Sequence, residues 1–305
     1  MLELSEFVEF VDEKASVKKP SLVEKDILIH GILNEIVSSE LGKLYLFKGG
    51  SCLVKCYFGY YRFSVDLDFT WRDQSVWNKL GKKSLRRKLL EQTERFARIL
   101  ERAAKKFALD FKSEIGNKKY VEFGSGNRMV TFKMWKDSEL IKAQLSFVEK
   151  LLFKHKSIVA NTLLRGCKLL ENERAYFADF LEFYRPIKVL AYSKEEILCE
   201  KVRAMLTRRN QKLRDFYDVF MLERNGIKVE SLKEEIVEKI KEALSYKKYK
   251  TNLERNLKAL SLDGLLSERF EREMFVVTPP AEFYKFMGEF EAVSYTHLTL
   301  PTICS

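Results

Sequence analysis

The run Arg62-Phe63-Ser64-Val65-Asp66-Leu67-Asp68-Phe69-Thr70 alternates polar and apolar residues over most of its length. A strand gives such a run one consistent face, because successive side chains point to opposite sides. Val65, Leu67 and Phe69 then anchor in a core. Asp66 and Asp68 stand together on the other face, about 7 Å apart along the strand. Two carboxylates held this way suit a hard cation that binds oxygen, above all Mg²⁺. A solvated acidic strand end is the plainer account, because Asp-x-Asp is common.

A second motif lies just upstream. Leu44-Tyr45-Leu46-Phe47 reads as a short buried strand, followed by Lys48. Gly49 and Gly50 then free the backbone, and Ser51 opens a helix carrying Leu53, Val54 and Tyr57. Strand, glycine turn and helix start form an anion site, where unpaired amides and the helix dipole face the ligand. Alone, the glycines would read as a tight structural turn. Two motifs at the spacing of neighbouring strands favour the site. A Mg²⁺ site beside a phosphate-binding turn points to phosphoryl or nucleotidyl transfer, with an NTP as substrate.

Composition narrows the setting. The chain has 305 residues, 46% of them hydrophobic, enough for one large domain or two smaller ones. It has no apolar run of the length that spans a bilayer. Its N-terminus is acidic and amphipathic, unlike a signal peptide. Five scattered cysteines and three distant histidines argue against structural zinc and suit a reducing cytoplasm. Net charge is +11, with clusters at Lys82–Lys88 and Lys247–Lys250. Such clusters attract phosphate backbones. A lysine-rich solvated surface is the bland alternative.

Two amphipathic helices open the chain, near Leu4–Glu13 and Ser21–Glu40. The Gly-Gly-Ser and Asp-Leu-Asp motifs follow, then a long charged helix over Ser84–Lys106. Strands are expected from Leu109 to about Leu170, with a hairpin turning at Gly124–Asn127 and a strand over Lys142–Phe147. After Pro186 the pattern reads as helical almost to the end. The expected domains are 1–185 and 186–290, with an atypical tail at 291–305. That tail is free of charge from Val293 to Thr302 and continues no helical pattern, so it reads as a gene-end artefact, with a flexible tail as the alternative.

Two further groups of residues stand out. Ile197, Lys201, Ala204 and Met205 lie along one side of a helix, which puts Lys201 on an inward, apolar face where it needs a partner. A lysine snorkelling to the surface is the alternative. Asp215 and Asp218 are three apart on a following helix and share a face. Arg214 and Asp218 are four apart, the spacing of an ordinary helix ion pair.

The chain resembles a known family at these places. Gly-Gly-Ser followed by Arg62-Phe63-Ser64-x-Asp66-Leu67-Asp68-Phe69 looks like the first motif of the DNA polymerase beta-like nucleotidyltransferases. The AbiEii/AbiGii toxin branch is the most similar. Glu24-Lys25-Asp26, the block Glu195–Ala204 and Arg214-Asp215-Phe216-Tyr217-Asp218 support that branch. Four blocks in this order are far more specific than one.

The resemblance implies an α/β (α+β) nucleotidyltransferase core with a mixed sheet, followed by a helical C-terminal domain. It implies transfer of NMP from an NTP, with Asp66 and Asp68 holding Mg²⁺. Gly49, Gly50 and Ser51 would cradle phosphates, and Lys48 or Lys201 would offset their charge. Asp215 would act as base or orienting residue, with Arg62, Ser64, Arg214 and Asp218 in support. It also implies a cognate antitoxin, and an acceptor that can be the tRNA 3′ end. One departure stands out. The family's usual third carboxylate falls at Gln144, which can ligate only as a neutral group. Glu149 or Asp215 would have to serve instead, or activity is weak or lost. The rival readings are therefore a catalytically dead module that binds RNA or protein, and a transferase acting on protein or small-molecule acceptors.

Overall fold

The computed structural model describes residues 3–124, 127–258 and 272–296. The chain divides into two compact units, Met1–Glu149 with His155–Tyr192, and Lys150–Lys154 with Ser193–Ser305.

The first unit opens with helices α1 (Leu4–Ala15) and α2 (Pro20–Ser38). Pro20 sits in the first turn of α2, where its missing N–H costs nothing. Strand β1 (Tyr45–Lys48) runs into helix α3 (Gly49–Cys52), which continues as a wider π-wound stretch over Leu53–Phe58. Next come β2 (Asp66–Trp71), a short α4 (Ser75–Asn78) and the long α5 (Lys82–Lys106). Four strands follow: β3 (Val121–Gly124), β4 (Met129–Lys136), β5 (Glu139–Ser146) and β6 (Lys156–Ala160). Helices α6 (Glu171–Tyr176) and α7 (Ala178–Phe183) lead to β7 (Ile187–Ala191).

These strands form one seven-stranded mixed sheet in the order β3-β4-β5-β2-β1-β7-β6. β2 runs antiparallel to β1 and parallel to β5. One face of the central strands is apolar. Leu67, Phe69, Ala143, Leu145, Val130 and Phe132 are all buried there. Phe96 of α5 stacks on Phe132 with ring centroids 5.3 Å apart and meets Phe69 and Tyr45 edge-on. Burying each such ring stabilises the fold by about 1.5–3 kcal/mol. The apolar half of the alternation in β2 is thus committed to the core, which leaves its polar half for chemistry.

The mixed α/β class is as expected, and so is the hairpin, with Gly124 opposite Met129. Ser125 and Gly126 of its turn lie outside the described residues. The expectation of helix directly after Pro186 is corrected. Ile187, Val189 and Ala191 point inward and Lys188 outward, and the strand they form pairs with β6 and β1. A five-residue alternation is too short to stand out beside the helices that flank it.

The second unit is helical: α8 (Lys194–Thr207), α9 (Leu213–Arg224), α10 (Lys233–Leu244), α11 (Lys247–Lys258) and α12 (Ala281–Thr296). Contrary to expectation, the start of the atypical tail continues the last helix, through Thr296. Residues 297–305 lie outside the described residues. Among the described residues no helix is long and apolar enough to cross a membrane.

Candidate active site

Strand register assembles the site. Asp68 lies opposite Lys48 on β1 and Gln144 on β5, while Asp66 lies opposite Lys142 and Thr70 opposite Ser146. Directly paired residues share a sheet face. Asp66, Asp68, Lys48, Lys142 and Gln144 therefore stand on the same side, away from the apolar core. Both aspartates are half-buried.

The glycine turn packs directly onto this face. Gly49 has φ +75°, a left-handed conformation that glycine adopts without steric cost. A Cβ there would lie 3.1 Å from Cγ of Asp68 and 3.2 Å from its Cβ, and closer still to the carboxylate oxygen. A Cβ on Gly50 would run into the Arg62 guanidinium and stand 3.0 Å from the Ser64 hydroxyl. The two sequence motifs are thus one object, with each glycine making room for a polar side chain of the other motif. The first turn of α3 has no side-chain cap. Its amides include donors without a partner inside the helix.

The remaining side chains of this unit have definite partners. The Ser51 hydroxyl is buried and donates to the Asp66 backbone carbonyl, clamping the helix start to β2. Its proton is spent there, so what Ser51 can offer an anion is its amide. Arg62 is buried and donates to the Phe63 carbonyl at 2.7 Å. Lys48 forms an ion pair with Glu149 and lies 5.7 Å from the Tyr192 ring centre. Glu149 also accepts from Thr70 at 2.9 Å and from the Tyr192 hydroxyl. Gln144 donates its amide to the Met129 sulfur at 3.0 Å.

The sequence left open whether Gln144, Glu149 or Asp215 replaces the third acid. Gln144 is directly beside Asp68, and Glu149 is engaged by Lys48, Thr70 and Tyr192. No cluster of three potential metal-ligating acids, histidines or cysteines occurs among the described residues. Two carboxylates beside a neutral amide fit a cation that keeps several waters and takes phosphate oxygens, as Mg²⁺ does. They do not make an all-protein cage.

The second unit holds the other candidates. Lys201 binds Asp215 at 2.6 Å and Asp218 at 2.7 Å, and Arg208 binds the second Asp215 oxygen. Asp215 and Asp218 are buried, while Lys201 retains 12% exposure. The expected partner of an inward lysine is therefore a pair of carboxylates. Burial works to raise the Asp215 pKa, but Lys201 and Arg208 outweigh it and hold the carboxyl well below the usual range. A carboxylate so held has little appetite for a proton, and its geometry suits orienting Lys201 and Arg208. Arg214 stands in the first turn of α9, one residue before Asp215.

The model of the AbiEii nucleotidyl transferase toxins, of type IV toxin–antitoxin systems, matches residues 31–291. The chain belongs to the AbiEii nucleotidyl transferase toxin family. It is therefore an enzyme, and AbiEii membership implies an NTP substrate, a divalent metal ion and a cognate antitoxin. No curated protein sequence matches the chain. Among solved structures it is similar to JHP933 from Helicobacter pylori, at 14% identity and a TM-score of 0.42. That match covers 91% of this chain and 93% of that one. A likeness at that TM-score supports no conclusion about this AbiEii-family chain.

One cluster next to the site escaped the sequence reading. Lys55, on the stretch that continues α3, is buried and donates to Asp26 of α2 at 2.6 Å and to Tyr60 at 2.7 Å. Tyr60 and Tyr184 both donate to the other Asp26 oxygen. Burial lowers the Lys55 pKa, against the pull of Asp26, and raises those of Tyr60 and Tyr184. The network ties the helix behind the glycine turn to α2. The available signal was a lone lysine inside the apolar run Cys52-Leu53-Val54-Lys55-Cys56.

Proposed function

We propose that this AbiEii-family enzyme is a Mg²⁺-dependent toxin that transfers NMP from an NTP to the 3′ end of a tRNA. The observation that carries the reading is the packing of Gly49 against the Asp68 carboxylate and of Gly50 against Arg62 and Ser64. It sets the glycine turn, whose helix start has no side-chain cap, against Asp68, which shares a strand face with Asp66. Asp66 and Asp68 would hold Mg²⁺, which when bound neutralises charge on the phosphates. The amides of Gly49, Gly50 and Ser51 bind the triphosphate, and Arg62 and Ser64 fix the turn. Lys48 offsets phosphate charge from its pairing with Glu149. Lys201, held by Asp215 and Asp218 with Arg214 alongside, is the second unit's candidate cation for the NTP. The acceptor hydroxyl oxygen bonds to the α-phosphorus and the bond to the β-phosphate breaks. Pyrophosphate and a proton are released. The cytoplasm is the proposed setting, in keeping with the free cysteines Cys52, Cys56, Cys167 and Cys199.

Gln144 beside Asp68 favours a second reading, a binding module of the same fold with little or no activity. Purified protein, labelled NTPs and Mg²⁺, offered tRNA or total protein, separate the readings. Label on tRNA that disappears in Asp66→Asn/Asp68→Asn supports the proposal. Label on protein moves the acceptor to another class. No labelling of any acceptor leaves the binding module.

A further inference from the structure

The start of α5 breaks the rules that govern helix starts. From Arg72 to Leu90 the chain carries seven cations against one acid, a net +6 out of the +11 of the whole chain. Gly81 caps α5 without a side-chain bond, and its first turn holds no acid. Lys82 and Lys83 occupy that turn, at the positive end of the helix dipole, where cations are disfavoured. Arg86 and Arg87 follow four residues on, which sets like charges side by side. All four are exposed. None makes an ion pair with another described residue, whereas Arg95, Lys105 and Lys106 further along α5 are all paired. Acids pair the later cations of α5, and none stands at its start, where the dipole would favour one.

Local conflict of this kind marks function more often than accident. A partner that releases the conflict is a polyanion with regularly spaced charges. A protein partner fits less well, because interface cores are poor in lysine and rich in aromatic anchors. Here Trp77 is buried beneath Lys88, and Leu90 is the one large apolar side chain exposed on the described patch. The patch belongs to the same unit as the site. Gln74, just ahead of α4, donates to the Phe147 carbonyl at 3.1 Å and accepts from the Glu149 amide at 2.9 Å. It thus fixes this segment to the end of β5, the strand that pairs with β2.

We propose that the exposed start of α5 is a docking surface for the phosphate backbone of RNA, holding the body of the molecule while its end reaches Asp66 and Asp68. This rests on the reading of RNA as acceptor. The test is the full chain carrying K82Q/K83Q/R86Q/R87Q, with a tRNA transcript and an NTP as probes. Relief of like-charge repulsion leaves the melting temperature unchanged or higher, and NTP binding stays at wild-type strength. Affinity for tRNA falls at least tenfold at 0.1 M salt. The slope of log K against log salt shrinks by about 3, from four lost contacts at roughly 0.7–0.9 each. Wild-type tRNA affinity and slope in the variant overturn the proposal. So does a loss confined to polyglutamate, which would mark an acidic protein partner. If tRNA binds through the patch but is never labelled, the acceptor reading fails and the docking surface stands. If tRNA is labelled and the variant binds it normally, the docking surface fails alone.

Discussion

Three glycines separate backbone strain from active-site contact. Gly59 has φ +76° and open space where a Cβ would go, so Gly59→Ala meets strain alone. That costs about 1–3 kcal/mol. Gly50→Ala meets contact alone, against the flexible end of Arg62 and the Ser64 hydroxyl. Gly49→Ala meets both. Its φ of +75° brings a similar strain, and its Cβ would overlap Asp68, adding about 1–3 kcal/mol of overpacking. Asp68 would have to retreat by about 1 Å, and a misplacement of that size in a catalytic geometry costs about 100-fold in rate. Thermal unfolding and labelled-NTP transfer should therefore dissociate. Gly59→Ala loses stability but transfers within a few-fold of wild type. Gly49→Ala loses about 100-fold in transfer under conditions where it is still folded. Equal transfer by the two variants, or full transfer by Gly49→Ala, would refute the claim that the glycine exists to admit the carboxylate.

Two other predictions concern buried charge. Lys201→Ala leaves Asp215 and Asp218 short of a cation and should cost about 3–5 kcal/mol in urea unfolding. Adding Asp215→Asn and Asp218→Asn should recover stability without recovering NTP transfer, and recovery of both would reduce Lys201 to a structural role. His30 is buried, and burial first, then the Lys55 charge, pushes its pKa down to about 3. Its unfolded value is about 6.5, so between those values the unfolded chain binds more protons and stability rises with pH. Acidification from pH 7 to pH 5 should cost about 2 kcal/mol through His30. A His30→Gln variant with the same pH dependence as wild type would reject that assignment.

The two motifs were legible because each rule behind them is local. Alternation puts Asp66 and Asp68 on one face, and a glycine pair after a buried strand marks a turn. That Gly49 touches Asp68, and Gly50 touches Arg62, was not legible, because it depends on β1 and β2 pairing in one register. The mixed sheet was legible as a class, but β7 was hidden by its brevity. Lys201 announced the need for a partner, and Asp215 and Asp218 were visible as neighbours on a face without being visible as that partner. The Lys48–Glu149 pair and the Lys55–Asp26 pair were invisible for a common reason. Each joins residues far apart in the chain, and periodicity within one element carries no information about another.

The sheet order has a consequence in time. β1, which leads into the glycine turn, is flanked on one side by β7, with Phe47 opposite Ala191. Those residues are 144 positions apart in the chain. At synthesis rates of about 5–20 residues per second, β7 follows β1 off the ribosome by roughly 7–30 s. Until then one edge of β1 has no strand to pair with. The glycine turn and the Asp-Leu-Asp strand can align as soon as β1 and β2 have both emerged, long before the sheet is complete. An enzyme built this way has a delay between translation of its two motifs and closure of the second edge of β1.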